Sequence, residues 1–164
     1  MRVLVIIFEE LVPLSGGGTP RISNVVKAFV RRGHEVYVAS SIGLRKQEAL
    51  RKLGCFDLLP LRGVSRLDRR KLVKYMWAYP INLLRVVGYA RRIKPEVMVS
   101  HNSIAGFTAL IAKGSRGECL TVMDLTDLLL EYLGDYKDKQ WIRFIQIWGR
   151  KMEIQAISRS DRII

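Results

Sequence analysis

The chain's first apolar run is unbroken. Val3 to Phe8 is hydrophobic at every position and rich in β-branched side chains, the pattern of a strand buried on both faces. It leads straight into Glu9 and Glu10 with no small-residue cleavage site, so it reads as a first strand and not as a leader peptide. Glu9 to Gly18 reads as a loop. From Thr19 the period changes: Val25, Val26, Phe29 and Val30 fall at helical spacing, with Lys27, Arg31 and Arg32 outside. Pro20 suits the first turn of that helix, where its missing N–H is not needed. Gly33 suits the left-handed residue that ends it. Val36 to Ala39 then form a second strand. Strand, loop, helix and strand make a βαβ unit on a parallel sheet.

The pattern continues less regularly. Leu44 to Leu53 reads as a short helix, and Phe56 to Leu59 as a short strand that Pro60 stops. Ser65 to Trp77 reads as a helix, with Ser65 and Asp68 spaced as a capping box, and Pro80 breaks it. Leu83, Val86, Val87 and Ala90 form the stripe of the next helix, which ends before Pro95. Val97 to Ser100 is a strand, Ile104 to Lys113 a helix, and Leu120 to Met123 a strand. Trp141 to Ile157 is a long helix in which Trp141, Phe144, Ile145 and Trp148 recur at helical spacing and read as core. Asp161 to Ile164 begins one more strand. The expected fold over residues 1–164 is a single α/β domain: a Rossmann-like parallel sheet with helices on both faces.

Composition narrows the classes. With 164 residues, 49% of them hydrophobic, the chain can bury a sizeable core and is not disordered. Its apolar runs are strand-sized, so no transmembrane helix is expected. Cys55 and Cys119 form no C-x-x-C, and a reducing, cytoplasmic setting is the default. His34 and His101 are the only histidines, too few for a metal cage, so no metal is expected.

Charge changes the picture more. The net charge of +13 points to an anionic partner or surface. From Arg62 to Lys94, ten Lys/Arg stand against Asp68 alone, so +9 of the +13 lies there. The helix from Ser65 puts Leu72, Val73, Met76 and Trp77 on one side, while Arg69, Arg70, Lys71 and Lys74 mostly fall elsewhere around it. Tyr75 and Tyr79 lie beside Trp77 in sequence. Such a stretch suits peripheral docking on an anionic membrane, and Arg69, Arg70, Lys71, Lys74 and Trp77 are the expected contacts. Two other readings compete. One is a solvated basic surface of the thermophilic, heat-stable kind. The other is a nucleic-acid-binding module, for which the chain carries no RNA-binding signature.

The sharpest local feature is Pro13-Leu-Ser-Gly-Gly-Gly-Thr-Pro20. Glycines ahead of a helix leave backbone N–H groups open to an anion, and the helix dipole adds partial positive charge. The loop lies at the carboxyl end of the first strand, where open α/β sheets bind ligands. It is not a P-loop, because no Lys follows the glycines. It is not a dinucleotide fingerprint either. Glu9 to Ser15 intervene, position 21 is Arg, and strand two ends in Ser40 and Ser41 without the ribose-binding acid. A plain turn is the bland alternative.

These residues resemble a known family. The SGGG loop, the helix after it and Phe29-Val-Arg-Arg-Gly-His-Glu-Val36 resemble the opening of GT-B glycosyltransferases of retaining family four. There a Gly-Gly loop precedes a helix and an L-x-x-R-G-H-E-V passage. Arg91-Arg-Ile-Lys-Pro-Glu-Val-Met-Val-Ser-His-Asn102 is similar to that family's P-D-hydrophobic-hydrophobic-H strand. Leu120-Thr-Val-Met-Asp-Leu125 is similar to its strand ending in H-D-L or R-D-L-W-P. Met152-Glu153 through Arg159-Ser-Asp-Arg-Ile-Ile164 is similar to the E…(A/S)-D-x-I-I stretch that closes its first domain. One departure is chemical: Met123 stands where some members carry a histidine, so that role is absent or passes to Asp124. The other is one of extent: the family's nucleotide-sugar site lies mostly in a second domain with an E-x7-E motif, beyond these residues. The resemblance therefore implies the N-terminal, acceptor-side half of a GT-B fold. It implies hexosyl transfer from a nucleotide-sugar donor to a sugar or lipid-linked acceptor, without a cofactor. A C-terminal domain or a separate catalytic subunit, which this half recruits to the inner membrane face, would complete the enzyme.

Under that resemblance Gly16, Gly17, Gly18 and Thr19 meet the donor diphosphate. Asp124 is the catalytic candidate, holding an acceptor hydroxyl or orienting the sugar. Asp127, His101 and Asn102, at or after strand ends, complete the acceptor side. Their bland alternatives are an aspartate or Ser103 capping a helix and a structural His101. Glu153 reads as a buried salt-bridge partner.

Overall fold

The computed structural model describes residues 1–8, 18–41, 46–63, 71–114, 119–126 and 140–164. The strands are β1 (Arg2–Ile7), β2 (Glu35–Ser41), β3 (Asp57–Leu61), β4 (Val97–His101), β5 (Leu120–Asp124) and β6 (Arg162–Ile163). They form one parallel sheet in the order β3-β2-β1-β4-β5-β6. The helices are α1 (Gly18–Arg31), α2 (Lys46–Leu53), α3 (Lys71–Ile93), α4 (Asn102–Gly114) and α5 (Gln140–Arg159).

The unbroken apolar run earns its place at the centre. Val3, Val5 and Ile7 join Ile22, Val26 and Leu53 of α1 and α2 on one face of β1. Leu4 and Ile6 join Val86, Ala90, Ile93, Ala105 and Ala109 of α3 and α4 on the other. With both faces covered, no polar alternation is permitted. The expected Rossmann-like sheet with helices on both faces is the observed one. At the end of α1, Gly33 takes φ 76°. Its N–H donates to Val30 O at 2.9 Å, and the His34 N–H donates to Phe29 O at 3.2 Å. The Phe29 and His34 rings pack at 5.7 Å. This is a Schellman closure with its apolar contact, and it gives His34 a structural role.

Four local expectations are corrected. Pro60 does not stop β3; it lies inside it. Among the described strands β3 pairs only with β2, and an edge strand tolerates the missing N–H. Pro80 does not break the helix, because α3 runs through it. Pro80 and Met76 both lie on the outer face, where water can take the freed carbonyl. Meanwhile Ala78, Asn82, Val86, Ala90 and Ile93 hold the inner face on the sheet. Asn82 also fastens α3 to the end of β3: its Oδ1 accepts from Arg62 N at 2.7 Å and its Nδ2 donates to Arg62 O at 3.1 Å. Trp148 is not core; it is 55% exposed. The buried face of α5 carries Gly149, Glu153 and Ala156 instead, so small residues set the helix spacing. The side chains of Trp141, Phe144 and Ile145 lie outside the described residues. Ser103 does not cap α4, which already begins at Asn102. Cys55 and Cys119 are buried and not disulfide-bonded.

Candidate functional site

The strand order reverses between β1 and β4, and ligands of open α/β sheets bind at the carboxyl ends of the strands beside such a reversal. Two strands deliver polar side chains there. Val97 and Val99 face α1, so two-residue alternation turns His101 the same way. Val122 packs on that face too, and Asp124 follows it. His101 and Asp124 are register partners across β4 and β5.

Both are buried, Asp124 completely. With its proton on Nδ1, His101 donates to Asp124 Oδ2 at 3.2 Å. Arg21, in the first turn of α1, brings Nε to 2.8 Å from Asp124 Oδ1. Its N–H is not aimed along that line, so Oδ1 has a charge neighbour but accepts no hydrogen bond. A buried carboxylate without counter-charge is costly, so Asp124 depends on Arg21. The first turn of α1 itself holds no acidic residue, and the carboxylate that faces it is Asp124.

A second cross-link lies alongside. Asn102 follows β4 without a loop and takes φ 69°, a left-handed conformation that Asn tolerates better than most residues. Its Oδ1 accepts from Thr126 Oγ1 at 2.7 Å. Backbone strain of this kind, held in place by a neighbour, is typical of functional corners. On the opposite side of the sheet end, the ring of Tyr79 meets Phe8 edge-on at 6.0 Å. Burial raises the Tyr79 phenol above its usual pKa, so it stays neutral.

The structure thus brings together His101, Asn102 and Asp124. Gly18 and Thr19 belong to the first turn of α1. Gly16, Gly17 and Asp127 lie outside the described residues, as do Arg69 and Arg70. Lys71 and Lys74 are on α3, their side chains outside the described set. Trp77 is 78% exposed. Met123 is fully buried against Gly106 on the α4 face, a packing position away from this cluster. Arg21 and Thr126 were missed by sequence reasoning. Their signals were slight: a basic residue in the first turn after a glycine run, and a hydroxyl two residues past a strand-end aspartate. Among the described residues no group of three His, Cys, Asp or Glu could hold a metal, and no helix is long and apolar enough to cross a membrane.

No curated protein matches the chain. Among solved structures it is similar to the glycosyltransferase of kitacinnamycin, with 14% identity and a TM-score of 0.64 over 99% of this chain and 45% of that one. It is similar to sucrose-phosphate synthase from Thermosynechococcus elongatus, with 10% identity and a TM-score of 0.63 over 99% and 41%. It is also similar to the UDP-GlcNAc 2-epimerase from Neisseria meningitidis solved bound to UDP-GlcNAc, with 12% identity and a TM-score of 0.50 over 100% and 46%. At such identities the likeness shows the fold alone. The chain spans less than half the length of each. The family model of the glycosyl transferase 4-like domain matches residues 16–164. That match runs from the glycines ahead of α1 through both strand ends that carry the cluster, and the chain belongs to the glycosyl transferase 4-like family, with the Rossmann-like fold of a GT-B N-terminal domain.

Proposed function

We propose that the chain is the N-terminal, acceptor-side half of an enzyme that transfers a hexosyl unit from a nucleotide sugar. One observation carries the reading beyond family membership: a buried Asp124 pairs with Arg21 at the start of α1, where the sheet order reverses. In such a transfer the bond between the sugar and the diphosphate breaks and the acceptor oxygen takes the sugar. Negative charge collects on the leaving diphosphate. Open N–H groups and positive charge at the start of α1 suit that charge. Asn102 and Thr126 offer the neutral hydrogen-bonding groups that sugar hydroxyls need. Asp124, buried behind Arg21, organises this edge. The remainder of the donor pocket comes from a second domain or a separate subunit, since the fold's relatives are more than twice as long.

A lipid-linked acceptor fits the outer face of α3. Trp77 and Leu84 are 78% and 73% exposed, and Met76 is exposed beside them. Arg91 and Arg92 follow on the same helix, also exposed. Apolar groups flanked by cations suit an anionic membrane surface.

The test uses radiolabelled UDP- and GDP-hexoses with the assembled enzyme and a membrane extract. Label is expected to move to an acceptor. Gly17→Val is expected to lower kcat/KM at least tenfold, because a branched side chain there blocks the close approach of the backbone to the phosphate. The 164-residue chain alone is expected to transfer nothing, because positioned groups supply most of the rate. An assembled enzyme that neither binds nor consumes any nucleotide sugar overturns the reading. Steady transfer by the isolated chain overturns the half-enzyme part of it.

A further inference from the structure

The outer face of α5 carries cations that nothing on the helix balances. The helix packs inward through Gly149, Glu153 and Ala156, which are buried. Its outermost line, on the opposite side, runs through Ile147, Lys151, Ile154 and Ser158, all exposed. Ile147 and Ile154 are 57% and 55% exposed. Arg150 and Arg159 stand exposed on either side of that line. A solvated helix gains by placing an acid three or four residues from a lysine. Around Lys151 those positions hold Ile147, Trp148, Ile154 and Gln155. From 140 to 164 the acids are Glu153, which is buried, and Asp161, which Lys113 and Thr121 hold. Among the described residues Arg150, Lys151 and Arg159 make no ion pair.

Single exposed isoleucines are ordinary. Two of them seven residues apart, with a lone cation between, match the repeat of a second helix laid alongside. Charge and position decide what that helix belongs to. A second copy of this chain does not fit, because a two-fold partner sets the same cations against themselves. A lipid surface does not fit either. A helix lying in a bilayer interface keeps its apolar and charged residues on separate faces, and here Lys151 stands between the two isoleucines. The half proposed above to complete the donor pocket meets the chain at the carboxyl edge. α5 lies between the carboxyl end of β5 and the amino end of β6, so its second half points away from that edge. Ile154 is ~21 Å along the helix from Gln140, at 1.5 Å per residue.

We propose that the outer face of α5 docks a helix of a separate acidic protein. The partner seats apolar side chains on Ile147 and Ile154 and a carboxylate on Lys151, with Arg150 and Arg159 at the rim. Its complementary surface is an amphipathic helix with apolar residues seven apart and Asp or Glu between them. Such docking requires nothing of the transfer proposed above.

The experiment puts the photoreactive residue benzoylphenylalanine in place of Ile147 in the protein as its own cells make it. Irradiation is expected to yield one protein adduct, whose cross-linked segment has apolar residues seven apart and an acid between. The same replacement of Asn24, exposed on the other face of the sheet, is expected to yield no such adduct. Lys151→Glu is expected to cut the Ile147-site adduct at least tenfold, because it sets like charges against each other. A synthetic peptide of the cross-linked segment is then titrated into the ¹⁵N-labelled chain. It is expected to shift the amides of residues 147–159 saturably. Lys151→Glu is expected to weaken that binding at least tenfold, and a peptide with its acid changed to Lys is expected to recover it. No adduct overturns the proposal. So does an adduct to lipid, to a second copy of this chain or to the second half of the enzyme. A cross-linked segment without an acid overturns it too, as does an adduct that Lys151→Glu leaves unchanged, or a peptide that leaves residues 147–159 unmoved.

Discussion

Asp124 and Asp161 show how far one residue type can be read from sequence. Both follow or begin strands. Asp161 is a clamp: its Oδ2 accepts from Lys113 Nζ, Thr121 N and Thr121 Oγ1, each at 2.7 Å. Lys113 first, then the two Thr121 bonds, hold its carboxyl well below the usual carboxylate range. A depressed folded pKa gives stability that is present above the unfolded pKa and lost as pH falls through the folded one. The group is about one-third exposed, so solvent screens the benefit. Asp161→Asn should therefore cost only ~1 kcal/mol at neutral pH. The gap in Tm between wild type and variant should narrow as pH drops below ~4. A gap that is constant from pH 7 to pH 2 contradicts the assigned cause. His101, Asn102 and Asp124 were legible in the sequence because each stands at the end of a short apolar run, and such ends converge on one edge of a parallel sheet. Arg21 was not. Periodicity says that it lies off the apolar stripe of its helix, but not that a strand end far along the chain delivers a carboxylate beside it.

At the scale of elements, the apolar patterning placed the described strands within a few residues but divided α3 in two at Pro80, and it failed where a local rule met an unseen surface. Pro60 and Pro80 both read as stops. A proline ends an element only where the lost N–H needed a partner or the ring meets a packed neighbour. The edge position of β3 and the outer face of α3 remove those conditions, and no local pattern reveals either. The long helix failed differently. Its aromatic residues suggested a large buried stripe, but Trp148 is exposed and α5 meets α4 with Ala156 beside Gly106. Gly106 permits that approach: a Cβ there would lie 2.7 Å from Met123 Sδ and 3.3 Å from Ala156 Cβ. Gly106→Val should destabilise the chain by about 2–3 kcal/mol, the usual cost of overpacking a filled core. Pairing it with Met123→Ala should recover part of the loss, since the sulfur is the nearer obstacle. Urea denaturation measures both. A Gly106→Val variant as stable as wild type would mean that α4 and α5 are not held this close.

For the whole molecule, the unequal distribution of charge matters more than its total. The 62–94 stretch carries +9 of the chain's +13 and includes α3. The inner face of α3 is fixed on the sheet by Ala78, Asn82, Val86 and Ala90, which turns Trp77, Leu84, Arg91 and Arg92 outward together. The membrane proposal rests on this outward face. The expected apolar side of Met76 and Trp77 does not pack into the core; it faces out. Inserting a side chain of that size removes apolar surface worth ~1.5–3 kcal/mol. Each basic residue close to an anionic leaflet adds about 1 kcal/mol. The chain should therefore float with phosphatidylglycerol vesicles at low salt and release at high salt. Trp77→Ser/Leu84→Ser should weaken flotation at both salt levels. Arg91→Gln/Arg92→Gln should weaken it by roughly thirtyfold at low salt, the equivalent of two such charges. It should matter little at high salt, where the Debye length shrinks to about 3 Å. Flotation that ignores both pairs of changes, or that is absent from the wild-type chain, rules out α3 as the docking element. Preferential capture of single-stranded RNA over vesicles would instead assign this basic face to nucleic acid.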